Sequence, residues 1–175
     1  GSQKDFFPNY NLHDMLGSEY FKELQVEDYR LILHNGEIKS CGAIWNQTNF
    51  KRTRVVKYHQ YLKYMRPIYN TAQYIFGGVR LPPEGTTLNY FHIHTPLSYG
   101  NNPSWMKLLL NNIYNEYSNS HFDYFMLGFD INDPLLQCLK HFPQRSYGGK
   151  IITMEPENRT IQKSDALTYI DSGRL

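Results

Sequence analysis

Leu88-Asn89-Tyr90-Phe91-His92-Ile93-His94-Thr95 and Tyr124-Phe125-Met126-Leu127-Gly128-Phe129 are the two runs whose reading decides the fold. In the first, Leu88, Tyr90, His92 and His94 alternate with Asn89, Phe91, Ile93 and Thr95, the period of a strand. Neither of its faces is plainly polar. The second, read as a strand over 122–129, is apolar without alternation, as expected where both faces of a sheet are covered. Between them Met106, Leu109, Leu110, Ile113 and Tyr117 recur at spacings of three and four, which predicts a helix over 103–118. Asn102 is its expected N-cap and Pro103 its first residue. Strand, helix and strand of these lengths make a right-handed parallel unit, because parallel neighbours need a long crossover.

Working outward, residues 130–133 form a turn, Pro134 opens a short helix to about 142, and 146–154 reads as a further strand. Residues 166–175 can pair back on that strand. On the amino-terminal side, strands over 29–33 and 38–45 flank His34-Asn35-Gly36-Glu37, whose Asn-Gly pair is the strongest short hairpin signal. Before the hairpin, Phe6, Phe7, Tyr10, Leu12, Met15, Leu16, Tyr20 and Phe21 suggest one or two short helices.

The segment from Lys51 to Arg80 has no acidic residue. It carries Lys51, Arg52, Arg54, Lys57, Lys63, Arg66 and Arg80, with Tyr58, Tyr61, Tyr64, Tyr69 and Tyr74 interleaved. Two readings stand: a phosphate-binding surface for a nucleotide cofactor or RNA, or a solvated helix over about 51–66 with Tyr58, Tyr61 and Leu62 turned inward. Pro67 is expected to break the segment and Gly77-Gly78 to end it.

The chain has 175 residues, 41% of them apolar, with 15 Tyr and 10 Phe, enough side-chain volume for one domain over 1–175 with a sizeable core. A net charge of +2 points at no class of partner. Cys41 and Cys138 are the two cysteines, too few for a disulfide framework or a metal set. There is no apolar run of membrane-spanning length and no signal-peptide pattern, so a cytoplasmic protein without membrane contact is expected. Gly1-Ser2 reads as a cloning remnant.

The order of hairpin, basic insertion over about 50–80, strand, glycine-containing loop, helix, strand, short helix and final hairpin resembles the GNAT N-acetyltransferase superfamily, from about residue 29 onward. Met126-Leu127-Gly128-Phe129-Asp130-Ile131-Asn132-Asp133-Pro134 looks like the family's fifth strand and following turn, with Asn132 in the place of its turn asparagine. Ala43-Ile44-Trp45-Asn46-Gln47 and Arg66-Pro67-Ile68-Tyr69-Asn70 look like a divergent bacterial branch in which this half can follow an earlier domain of the same chain. The resemblance implies an α/β fold with a mixed, mostly antiparallel sheet, a parallel central strand pair and flanking helices.

It also implies acetyl-CoA or another acyl-CoA as cofactor and a small-molecule or peptide amine as acceptor. Nucleic acid is not expected, though the basic segment keeps an RNA-associated transferase module among the alternatives. The family's pyrophosphate loop, Gln/Arg-x-x-Gly-x-Gly/Ala, corresponds to Leu97-Ser98-Tyr99-Gly100-Asn101-Asn102, in which Gly100 matches and the flanking positions do not. The implied cofactor-binding set is therefore Leu97, Tyr99, Gly100, Asn101, Asn102, Ser104 and Asn132. A degenerate, non-catalytic half of a larger protein is the second expectation.

The reaction class needs a base for the amine and an acid for the departing thiolate. His92 and His94, sharing one face of a strand, are the candidate bases and Tyr147 the candidate acid. Each has a plainer reading as a packing residue. His-x-His also suggests a metal pair, but no third ligand with convincing spacing accompanies it and no metal is expected. Asp130 and Asp133 read as turn caps and Cys138, three residues before His141, as a buried inert thiol.

Overall fold

The protein's structure, a computed structural model, describes residues 4–5, 18–76, 80–149 and 166–169. In chain order the strands are β1 (Lys4–Asp5), β2 (Tyr29–His34), β3 (Glu37–Trp45), β4 (Tyr90–Ser98), β5 (Tyr124–Met126) and β6 (Leu167–Thr168). The helices are α1 (Gln60–Phe76) and α2 (Pro103–Tyr117), supplemented by short 3-10 turns. The main sheet has the order β2-β3-β4-β5, with the first two pairings antiparallel and β4-β5 parallel. This is an α/β fold built on a mixed sheet, as the two quoted runs require.

Local chemistry explains the elements. Asn35 and Gly36 both take positive φ, 52° and 77°, the conformation demanded by a two-residue hairpin turn with the twist of its strands. Asn102 caps α2 by accepting a hydrogen bond from Ser104 N–H at 2.8 Å, and Pro103 occupies a position whose missing N–H costs nothing. The predicted stripe faces the sheet: Met106, Leu109, Leu110 and Ile113 are buried against Ile32, Ile44, Phe91 and Ile93. Each such side chain contributes about 1.5–3 kcal/mol on burial. Asp133 accepts from Leu135 N–H at 2.9 Å and caps a 3-10 helix, Pro134–His141, which brings Leu135 and Cys138 into the same core. On the opposite face of the sheet, Phe21 and Leu24 cover Ala43 and Trp45, and Trp45 Nε1–H donates to the Lys22 carbonyl at 3.0 Å.

Several expectations are corrected. β4 runs on through Pro96 and Leu97 to Ser98 instead of ending at Thr95, and β5 is three residues long instead of eight. Residues 51–59 are not helical: Arg54 bridges Thr87, and the Val55, Gly85 and Leu88 N–H groups close a short ladder at the base of the 51–88 excursion. Helix α1 begins only at Gln60 and passes through Pro67. Tyr61 and Leu62 point outward at 67% and 44% exposure, while Tyr58 is half-buried as expected. β6 pairs in parallel with β1 in a separate two-stranded sheet. Residues 146–149 carry no regular element, and the expected strand residues 150–154 and most of the amino-terminal helical pattern lie outside the described residues. Among the described residues no helix is long and apolar enough to cross a membrane.

Candidate functional site

β4 and β5 pair over only three positions, Tyr90↔Tyr124, Phe91↔Phe125 and His92↔Met126. Beyond them β4 continues toward Ser98 while residues 127–130 leave the sheet, so the two parallel strands part at their carboxyl ends. That is where ligands of open α/β sheets bind. A second irregularity lies on the other side of β4. Cys41 pairs with Leu97 and Ala43 with His94, so two steps on β3 face three on β4, a bulge spanning Thr95 and Pro96. Thr95 adopts φ 52°, a rare value for a β-branched residue, and its hydroxyl is buried without a partner among the described residues.

The strand then turns into α2 through Tyr99–Asn101, where Gly100 (φ 62°) and Asn101 (φ 50°) are consecutive left-handed residues. Asparagine tolerates that region, so Asn101 follows Gly100 through the turn without being a glycine itself. Ser98 Oγ donates to the Asn102 carbonyl at 2.7 Å and the Asn102 N–H donates to the Tyr99 carbonyl at 3.3 Å, which fixes the turn. A Cβ on Gly100 would meet nothing within 4 Å, so open space lies beside it. Tyr99 is 71% exposed, with Lys39 Nζ 4.7 Å from its ring centroid. A helix start of this kind favours an anion. Any anion there competes with the Asn102 side chain for the Ser104 N–H.

The structure thus brings together Tyr99, Gly100, Asn101, Asn102 and Ser104. Leu97 is not part of the turn; it lies in β4, and its carbonyl accepts from Ser40 Oγ at 2.9 Å. Asn132 sits in the exposed turn after β5 with its N–H on Asp130 Oδ1 at 2.8 Å, and Asp130 Oδ2 accepts from Thr168 N–H at 3.2 Å. Asp130 therefore ties the turn to β6.

The three proton-transfer candidates are elsewhere. His92 and His94 share a face, as alternation requires, and it is the face opposite α2. His94 is fully buried, its ring 5.2 Å from Phe21 and 5.5 Å from Trp45, and His92 lies edge-on to Tyr90 at 5.3 Å. Tyr147 is 86% exposed in the run after the last 3-10 helix. It is close enough to Tyr124 to help raise that phenol's pKa, whose main cause is burial, and Tyr124 marks the amino end of β5, away from the parting strands.

Burial pushes the Cys138 thiol up to about 11, so it stays protonated and unreactive near neutral pH. No group of three metal-ligating side chains occurs among the described residues. A concavity of about 480 Å³ lined by Ser18, Phe21, Lys22 and Gln25 among others lies on the segment before β2 and contains none of the residues of the turn before α2.

Sequence reading missed Thr95. Its signal was Pro96, since proline inside an otherwise central strand marks a bulge. Comparison with known proteins returns no matching family model, no matching curated protein and no matching solved structure.

Proposed function

We propose that this chain is a GNAT-like domain whose cleft between the carboxyl ends of β4 and β5 receives an acyl-CoA, the acyl group then passing to a small-molecule or peptide amine. The observation that carries the reading is the parting of β4 and β5 after His92 and Met126, next to a left-handed Gly100-Asn101 turn that opens α2. The diphosphate would lie against that turn and the start of α2. In the reaction the amine nitrogen attacks the thioester carbonyl, the new C–N bond replaces the C–S bond, the ammonium proton leaves and the thiolate takes up a proton.

A second reading, a domain that binds without turning over, is favoured by the enclosure of His92 and His94 and by Tyr147 lying near the amino end of β5. Titration calorimetry with acetyl-CoA tests the first step. A saturable isotherm with micromolar Kd, about 8 kcal/mol, is expected, and Gly100→Trp, which fills the open space beside the turn, is expected to remove it. A flat trace for the unaltered protein overturns the cofactor assignment. Thiol release on adding a panel of amines to the acetyl-CoA complex separates the readings: release supports transfer, and binding without release supports the non-catalytic domain.

A further inference from the structure

The cations and tyrosines of residues 51–66 take no part in the turn before α2, and several of them meet around one phenol. Tyr58 is fixed at both ends: its N–H donates to Glu84 Oε1 at 3.0 Å and its hydroxyl donates to the Pro82 carbonyl at 2.8 Å. Lys63 Nζ reaches the same Glu84 carboxylate at 3.6 Å. The Tyr58 N–H foremost, and with it Lys63 and Lys57, hold the Glu84 carboxyl below its ordinary pKa. On the helical side, Arg66 stands one turn before Tyr69, so the two are neighbours on α1. Arg145 Cζ lies 4.9 Å from the Tyr69 ring centroid. Burial raises the Tyr58 pKa while the Arg66 and Arg145 charges oppose that shift, so both guanidinium groups lie within electrostatic reach of the one phenol.

Four cations, Lys57, Lys63, Arg66 and Arg145, therefore gather around Tyr58 with one carboxylate among them, and Glu84 is already committed to Lys63 and the Tyr58 N–H. Neither half-buried Arg66 nor Arg145 has a carboxylate partner among the described residues. Such a gathering favours an anion, and the planar fork of each guanidinium matches two phosphate oxygens. Beside it Tyr147 is 86% exposed and close enough to Tyr58 and Tyr124 to act on both phenols, and Tyr124 stacks on Tyr90 at 5.2 Å. Asp123, next to Tyr124, accepts from the Asn89 N–H at 3.4 Å. An exposed ring beside phosphate-binding groups is what a nucleobase stacks on.

We propose that this corner of the molecule binds a nucleotide, free or as a unit of single-stranded RNA, with its phosphate on Arg66 and Arg145 and its base on the Tyr147 ring. An acidic peptide or a bare phosphate would satisfy the arginines and leave the tyrosine without a role. The site is separate from the acyl-CoA cleft, since Tyr90 and Tyr124 open β4 and β5 and the cleft lies where those strands part. The net charge of +2 gave no hint of it, because that figure averages this corner with the acidic residues elsewhere.

Fluorescence anisotropy with a labelled oligoadenylate of about ten nucleotides, competed by adenosine monophosphate, is the test. Saturable binding is expected, weakened about tenfold by Arg145→Gln and by Tyr147→Ala alike. Lys107→Gln, which removes a charge near the start of α2, leaves it nearly unchanged. Arg145 and Tyr147 are both exposed, so the two variants keep the parent's far-ultraviolet circular dichroism, which separates lost binding from lost folding. With the oligomer, Arg145→Gln also lowers the slope of log affinity against log salt by about 0.7. Displacement by adenosine monophosphate near the oligomer's own Kd assigns a free nucleotide, and displacement by further oligomer alone assigns a strand. No saturable binding of either up to about 1 mM protein overturns the proposal. So does a loss on Lys107→Gln equal to that on Arg145→Gln, which marks unspecific charge, or displacement by inorganic phosphate or oligoglutamate as effective as by the nucleotide.

Discussion

Helices α1 and α2 are of similar length, 17 and 15 residues, and each carries apolar residues at spacings of three and four. Their fates differ. Met106, Leu109, Leu110 and Ile113 of α2 are at most 1% exposed, whereas Ile68 and Ile75 of α1 are 64% and 69% exposed. The cause is connection. α2 joins two parallel strands, so the crossover must lie on the sheet and its stripe has one place to go. α1 sits within an excursion that leaves and rejoins the body through the ladder of residues 53–55 and 85–88, and polar contacts to residues 81–84 and the Arg145 guanidinium over the Tyr69 ring tie it there. A periodic stripe shows that a helix has a face to bury; chain connection decides against what.

The largest expected effect tests that contrast directly. Ile113→Ala should lower unfolding free energy by about 2–5 kcal/mol, while Ile68→Ala should change it by no more than about 0.5 kcal/mol. Urea midpoints that shift equally would break the comparison. A smaller effect concerns the strand that feeds α2. Thr95→Gly releases a left-handed β-branched residue, and after the entropy cost of glycine the protein should gain up to about 1 kcal/mol. A loss of stability would show that contacts of the threonine side chain outweigh its strain.

The smallest effect lies on the edge of α2. Arg30 holds Glu116 at 2.6 and 2.9 Å, tying β2 to α2, with the two side chains 31% and 43% exposed. Glu116→Gln should therefore cost less than about 1 kcal/mol at neutral pH. The hydrogen bond from Arg30 lowers the Glu116 pKa. Its contribution is thus present above the unfolded carboxylate value of about 4.3 and fades as pH falls through the lowered folded value, so variant and parent should converge in acid. Equal separation at all pH values would sharpen the assignment toward packing.

Much of the turn before α2 was legible because it is made of local chemistry. Asn102, Pro103 and Ser104 form a cap within three residues of chain, and Asn101 is among the residue types that take a left-handed turn. His92 and His94 were legible as sharing a face, but which face, and whether anything enclosed it, depended on Phe21 and Trp45 from distant parts of the chain. Tyr147 followed a helix in sequence, yet it lies near the amino end of β5, in a run without a regular element whose path local residue spacing does not set. The inward turn expected of Tyr61 and Leu62 failed for a related reason. Which side of α1 faces the body is set by contacts such as Asn70 on the Leu81 backbone, far from Tyr61 and Leu62 in the helical turn.

What the amino-acid sequence determined alone is everything carried by near neighbours: the Asn-Gly hairpin, the capped α2, the parallel pairing forced by crossover length and the apolar stripes themselves. Tertiary structure decided the rest. It set the length over which β4 and β5 stay together, the extra residue that bulges β4 at Thr95, the enclosure of the two histidines and the outward face of α1. Each of these depends on how segments far apart in the chain share a limited surface, and that competition leaves no trace in local residue spacing.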